Sequence, residues 1–511
     1  TRAYRVVRDA VYFGSDLWFH PTSAEVERLL PDLPADVKVV TTDELFEGIS
    51  YQPLNLGTGC GQLRFVKSAD LAARTVFLGP RDLVVLDGIP DDIAVVAGIV
   101  TSVFQTPLSH LNVLSQNRGT PNMGLKGAWQ DSALRALEGK WVRLEVGGFE
   151  WKASEIDKAE ADAWWETHKP PAVAVPEIDL TVTALTDAAD VPFPDGIPAF
   201  GGKATHYGEL TRIGLDKVPI RKAFAVPMHF YRRFEAANGF DVRVAALLAD
   251  AKFADDPAYR DAQLALLRED MVKAPLDAAF VAAVKAKLDA EYPGMSIRVR
   301  SSTNAEDLDG FTGAGLYSSN RYEPGSDKKT LEAAIRKTWA SLWNFRAFEE
   351  RTWRSIDHEA VAMALLVHGA FDDEGEDANG VALTNNIFDP NEPAFWVNVQ
   401  EGAIEVVKPP PGVVSDQFLY YYGYPSSPTV FIAHSTEVPA GETVLTGQET
   451  HQLAKALNAI HLHQAFSKLY SKPGRFYAMD VEFKFFTEPG DVVSRLWIKQ
   501  ARPHYGWSAG E

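Results

Sequence analysis

Two rhythms of apolar residues run through this chain. In LEAAIRKTWASLWNFRAFEERTW (331–353) and HQLAKALNAIHLHQAFSKLY (451–470) they recur at spacings of three and four, which predicts long amphipathic helices. Elsewhere they form short β-branched runs bounded by Pro, Asp and Gly. RDLVVLDGI (81–89), IAVVAGIVT (93–101) and KWVRLEV (140–146) read as strands, as do 296–300 and 496–500. TTDELF (41–46) reads as an N-cap opening a short helix, and SEIDKAEADAWWETH (154–168) as a longer one. HKPPAVAVP (168–176) interrupts both rhythms. Such a Pro-rich stretch is extended and semi-rigid at ~3.1 Å per residue, fit for a linker or a swivel arm.

At 511 residues the chain is too long for one core, and two to four domains are expected. The pattern divides it into an N-terminal segment 1–48 with no assignable role, a compact α/β unit 49–155, a helix and linker 156–185, and a larger α/β unit 186–505. No internal repeat or low-complexity tract is visible.

The formal charge of −19, from 50 Lys and Arg against 69 Asp and Glu, argues against non-specific binding to nucleic acid or an anionic membrane. It leaves room for a local basic pocket. No apolar run approaches the ~20 residues that span a bilayer. The single cysteine, Cys60 in GTGCGQLRF, excludes an intramolecular disulfide and fits a reducing, cytoplasmic setting. That stretch reads as a Gly-rich turn leading into a strand, with Cys60 structural. The first residue is Thr1 rather than Met, as in a processed or truncated product.

Four stretches carry candidate chemistry. In QTPLSHLNVLSQNRGTPNMG (105–124), His110 stands where a loop turns into a helix. It is either a capping or core histidine, or a nucleophile whose phosphate the helix N-terminus would stabilise. In FGGKATH (200–206) two glycines let a backbone pass close to a ligand, and Lys203 supplies a point charge for phosphate. No Walker A loop occurs. In IRVRSSTNAEDLDGFTGAGLY (297–317) a strand delivers Arg300 to a loop with an acidic pair and Gly313 and Gly315. Arg300 can grip a phosphate bidentately while loop amides cover phosphates. The competing reading is a tight turn with a solvated acidic patch. In MDVEFKF (479–485) and LWIKQARP (496–503) two strands flank a loop. Alternation puts Asp480 with Glu482 on one face, and Gln500 with Arg502 on one face. Carboxylates on such a rung can hold Mg²⁺; a plain surface hairpin is the alternative. His461 and His463 lack metal-ligand company and read as packing or surface residues.

Together these stretches resemble the pyruvate phosphate dikinase and phosphoenolpyruvate synthase superfamily over roughly residues 50–505. GGKATHYGELTRIG is similar to its lysine motif, IRVRSSTNAEDLDGFTGAGLY to its arginine and glycine-rich motif, MDVEF…LWIKQARP to its carboxylate–Gln–Arg ending, and TPLSHLNVLSQNRGTPNMG to its phosphohistidine motif. The segment 337–367 fits the helix between them. Several motifs in one mutual order are far more specific than any one alone.

The resemblance implies an α/β multidomain protein: a swivelling phosphohistidine domain at 49–155, then an ATP-grasp-like nucleotide-binding domain at 186–505. Lys203, Arg300, Gly313, Gly315, Glu482, Gln500 and Arg502 would bind the nucleotide, with Glu482 and Gln500 at Mg²⁺. His110 would take phosphate from ATP and pass it to an acceptor, a glucan or a small molecule, with AMP released. The order of the two domains is that of the glucan, water dikinases. A family arginine six residues after the histidine is Gln116 here. No segment reads as a (β/α)₈ barrel, which needs ~250 residues. A non-catalytic ATP-binding regulatory module is the alternative function.

Overall fold

The run Leu83-Val84-Val85-Leu86 contains no polar position because both of its faces are covered. Leu83 and Val85 join a cluster with Leu63, Val100 and Met123, while Val84 and Leu86 join Ile99 and Leu111 on the opposite face. The computed structural model describes residues 2–504 except 21–29, 41–49, 91–92, 106–110, 113–114, 116–117, 312, 314, 373–374, 390, 405, 407–412, 423, 425, 427, 440 and 489. The TTDELF segment, His110 and Gln116 therefore lie outside the described residues. The chain separates into two compact units, 1–170 and 171–506.

The first unit is built on strands β1 (Tyr51–Asn55), β2 (Gly57–Val66), β3 (Asp82–Leu86), β4 (Gly98–Thr101), β5 (Asn122–Leu125), β6 (Trp141–Val146) and β7 (Trp151–Glu155). They form one sheet in the order β1-β5-β4-β3-β2-β6-β7. The β2–β5 pairs are parallel, and β1, β6 and β7 join antiparallel. GTGCG is strand from its first glycine, not a turn. A side chain at Gly59 would sit 2.0 Å from the Ala97 carbonyl oxygen, so glycine is what lets the neighbouring chain close in. Cys60 is fully buried there. The expected helix at 154–168 begins later, at Lys158. Residues 151–155 are recruited by β6 as an edge strand, and Asp157 caps the helix by accepting from the Glu160 N–H at 2.7 Å.

The second unit holds two antiparallel sheets. One contains β8 (Thr186–Asp187), β9 (Ala223–Val226), β10 (Ile297–Thr303), β11 (Asn320–Tyr322) and β12 (Met363–Gly369), in the order β11-β10-β12-β9-β8. The other contains β13 (Glu376–Leu383), β14 (Phe395–Glu401), β15 (Asp416–Tyr420), β16 (Thr429–Ala433), β17 (Ala478–Phe486) and β18 (Arg495–His504), in the order β16-β15-β14-β13-β17-β18. The helix Ile197–Ile213 packs on β10, β12 and β18, and its buried face shares a core with both sheets. A second core lies on the far side of the five-stranded sheet, under the helices of 228–353. This arrangement is the ATP-grasp-like fold.

Both long periodic stretches form helices, and both are broken. The first splits into Leu331–Ala340, a 3₁₀ turn Ser341–Trp343 and Phe345–Trp353, with Asn344 in extended backbone between them. The second splits into Gly447–His461 and Gln464–Tyr470. His463 is extended there, and its Nε2 lies 2.6 Å from Glu209 Oε1. The Pro-rich stretch is held on the second unit from Val173 onward. Val173 N–H donates to the Arg354 carbonyl at 3.1 Å, the Pro176 carbonyl accepts from Asn304 Nδ2 at 2.9 Å, and Val173, Val175 and Ile178 pack against the core. Among the described residues no helix is long and apolar enough to cross a membrane.

One glycine fixes how the Lys203 helix meets β10. Gly201 has φ 77° and ψ 169° inside that helix, and a Cβ there would lie 2.5 Å from the Ser302 carbonyl carbon. The close approach that GG permits is thus to Ser302. Gly201→Ala combines left-handed strain with a backbone clash, and should cost at least about 2 kcal/mol. The urea midpoint of the second unit's unfolding transition measures this; an unchanged midpoint would refute the packing described.

Candidate nucleotide site

Strand β10 runs through the middle of its sheet, and its last residues leave the core carrying polar side chains. Arg300, 7% exposed, points toward the other sheet. Its Nη1 donates to the Lys499 carbonyl at 2.8 Å and its Nη2 to Gln500 Oε1 at 2.7 Å, with Glu482 Oε2 at 3.5 Å. The Gly201 kink presents Lys203 to the same place. Its Nζ donates to the Ser301 carbonyl at 2.8 Å and to Glu306 Oε1 at 3.0 Å. Glu306 Oε2 in turn accepts from the Thr303 N–H at 3.1 Å.

The acidic pair after β10 is buried, which corrects the reading of a solvated patch. Glu306 is 5% exposed, and the Asp307 side chain 6%. Asp307 adopts a left-handed φ of 61°. Burial, then the neighbouring Glu306 charge, push its carboxyl up to about 7. Gly313 and Gly315 follow at φ 63° and 67°, backbone that a side chain would strain.

The β17–β18 pair closes the other wall. Asp480 stands opposite Arg502, and Glu482 opposite Gln500. Arg502 reaches Asp480 Oδ2 from Nε at 2.9 Å and from Nη2 at 2.6 Å. Beyond Gln500 the register slips, so that Phe483 pairs with Ile498 and Lys499 becomes an extra residue. The Ile498 N–H, on the outer side of this edge strand, donates to the Pro219 carbonyl at 2.7 Å, and the bulge leaves the Lys499 carbonyl to Arg300. It also turns Lys499 to the same side as Gln500, with Nζ 3.8 Å from Glu482 Oε2. Burial raises the Glu482 carboxyl, but Lys499, Arg300, Arg502 and Lys203 outweigh it and hold it ionised at about 2. Burial lowers the Lys499 ammonium to about 8 against the pull of Glu482.

These side chains surround a cavity of about 520 Å³, and all seven nucleotide-binding candidates line it: Lys203, Arg300, Gly313, Gly315, Glu482, Gln500 and Arg502. Seven Lys and Arg side chains face four carboxylates there, a positive surplus inside a chain of charge −19. An anionic ligand is what such a lining attracts. Strict alternation hid Lys499, but its signal is in the sequence: apolar positions 496 and 498 are followed by 501 and 503, a step of three where a bulge falls. His368, Lys484 and Arg298 also line the cavity and carried no motif of their own. Burial, reinforced by the Arg300 charge, lowers His368 to about 3 and keeps it neutral.

No group of three or more His, Cys, Asp or Glu is arranged for a metal among the described residues. Glu482 and Gln500 supply two hard oxygens on one rung. That suits Mg²⁺ arriving with phosphates, which needs only one or two protein oxygens. His461 and His463 are engaged by Thr384 Oγ1 and Glu209. Near His110 in sequence, Leu111 is buried in the core. Asn112 and Ser115 join Thr101, Gln105 and Asn122 in a buried polar network.

The family described as "Pyruvate phosphate dikinase, AMP/ATP-binding domain" matches residues 197–511. Phosphoenolpyruvate synthase of Aeropyrum pernix is 30% identical over 180 residues, 34% of this chain and 21% of that protein. Rifampicin phosphotransferase of a Streptomyces species is 31% identical over 172 residues, covering 34% and 19%. Phosphoenolpyruvate synthase of Neisseria meningitidis serogroup B is 27% identical over 341 residues, covering 59% and 40%. The chain thus spans from 19% to 40% of the length of these relatives.

One titration follows from the helix that carries Lys203. His206 Nδ1–H donates to the Gly202 carbonyl at 2.7 Å, and Nε2 accepts from the Tyr470 hydroxyl at 2.6 Å. Burial lowers its pKa to about 4. The unfolded chain binds this proton first, so the stability it lends is whole above about 6.5 and drains away as pH falls toward 4, at about 1.4 kcal/mol per unit. Between pH 7 and 4.5 the wild type should lose urea resistance more steeply than His206→Gln; parallel pH profiles would exclude the neutral buried imidazole.

Proposed function

The chain belongs to the pyruvate phosphate dikinase AMP/ATP-binding domain family, and from that premise we propose that it is an ATP-dependent phosphotransferase of the dikinase type. The observation that carries this reading is the convergence of all seven candidate residues, from four separated stretches, on one cation-rich cavity. Arg300, Arg502 and Lys203 bind the phosphates, and the backbone at Gly313 and Gly315 covers them. Glu482 and Gln500 would hold Mg²⁺, which when bound neutralises phosphate charge. Catalysis here is positioning plus electrostatic stabilisation of a moving phosphoryl group.

His110 is the proposed carrier. A neutral imidazole is a competent nucleophile near pH 7. Its ring nitrogen bonds to the β-phosphorus as the bond to the departing AMP breaks, which leaves the β- and γ-phosphates on the ring. The γ-phosphoryl group then passes to water as the bond between the two phosphates breaks, and the phosphate that stays on His110 is the β-phosphate. The phosphohistidine unit, residues 49–155, then delivers it, with 168–180 as the connecting segment. Two of the similar proteins are named for small molecules, which favours a small-molecule acceptor over a glucan.

Arg300→Ala and Arg502→Ala should each weaken ATP binding by about 1.5–3 kcal/mol, the worth of a charged hydrogen bond. Calorimetry on variants with unchanged circular dichroism tests this, and wild-type affinity in both would remove the phosphate assignment. Incubation with γ- and β-labelled ATP should give an acid-labile β-label on protein and free AMP. In His110→Asn the label should vanish while ATP binding persists. ATP binding without label in the wild type would establish the non-catalytic module instead.

A further inference from the structure

The cavity lining has an order along the β17–β18 ladder. Asp480 and Arg502 form one rung, Glu482 and Gln500 the next, then the bulged Lys499, then Lys484 opposite Trp497. Lys203, Glu306, Asp307 and Gly313, which packs against Glu306, gather at the Arg502 end, where Asp307 acts on Arg502 and Lys203 on Glu482. At the other end Lys484 lies over the Phe371 ring at 5.7 Å and stands opposite Asn379. Asn379 Nδ2 donates at 2.8 Å to the carbonyls of Gly402 and Ile404, on either side of Ala403. Ala370, Phe371 and Ala403 offer apolar and aromatic surface at that end, beside the Lys484–Glu376 ion pair. A nucleotide laid along the ladder has its distal phosphates at Arg502 and its base near Phe371. Lys499 lies within three residues of Arg502, a strand length under about 10 Å.

Lys499 also differs from the cavity's other lysines in what it holds. Lys203 reaches Glu306 at 3.0 Å and Lys484 is paired with Glu376, both at hydrogen-bonding distance. The Lys499 ammonium has Glu482 at 3.8 Å, beyond a hydrogen bond, and its side chain is 28% exposed. A flexible ammonium that faces a carboxylate without gripping it is free to turn to a better anion. Only the bulge places it there, since regular alternation would send Lys499 to the opposite face from Gln500.

We propose that Lys499 is a further binding residue of the nucleotide site, contacting the phosphate next to the ribose, the one that AMP retains. This rests on the reading of the cavity as a nucleotide site and adds which phosphate one residue serves. Calorimetry on the full chain decides it, with Mg-ATP, with AMP in the absence of divalent cation, and with adenosine. Lys499→Met should weaken Mg-ATP and AMP by a similar factor of about ten or more, and leave adenosine binding as in the wild type. Lys499→Arg should recover most of the AMP affinity. Unchanged AMP affinity in Lys499→Met overturns the proposal, as does a loss confined to ATP or an equal loss for adenosine. Failure of the wild type to bind Mg-ATP would instead remove the nucleotide reading itself, so the two failures are distinct.

Discussion

Arg300 is a guanidinium held almost out of water between two sheets, and the cavity takes its shape from how that charge is satisfied. A buried cation stripped of its partners costs several kcal/mol. Here the partners all come from the opposite sheet: a backbone carbonyl freed by a bulge at Lys499, the Gln500 amide oxygen, and the Glu482 carboxylate. Any change that separates the sheets exposes or orphans this charge. The same contact that ties the two sheets therefore sets the distance between the phosphate-binding groups on each.

The electrostatics around that contact are lopsided by design of the fold. Seven basic side chains line the cavity, and of its four carboxylates Asp307 is pushed toward neutrality at about 7 while Glu482 is held ionised at about 2. These two carboxylates titrate far apart because Asp307 is buried beside Glu306 while Glu482 lies among four cations. Perturbation alone does not mark the site. Burial also raises Tyr231 and Glu235 in the helical core, where nothing but packing is served. What marks the site is perturbation together with open volume and backbone that only glycine adopts freely.

Periodicity along the chain found the elements and missed their interruptions. The stretches 331–353 and 451–470 are amphipathic throughout, so nothing in their spacing shows that Asn344 and His463 leave the helix. His463 is drawn to Glu209, a partner 254 residues away that no local pattern can announce. GTGCG read as a turn because glycines usually punctuate; its glycines instead make room for the Ala97 carbonyl of a neighbouring chain segment. For the acidic pair Glu306–Asp307 a solvated patch is the competing, poorer reading, and burial beside Lys203 removes it.

By itself the sequence determined the chemistry on offer: which strands end in Arg300, Glu482, Gln500 and Arg502, where the glycines allow left-handed backbone, and that an acidic chain leaves room for a local basic pocket. These are properties of residue type and short-range alternation, written locally. Only the tertiary structure decided that residues from 203, 300–315, 482 and 500–502 share one cavity, and that Lys499 joins them. Convergence of distant strands is fixed by sheet order and by the pairing of β17 with β18, and a single extra residue in that pairing reverses the face on which a side chain stands.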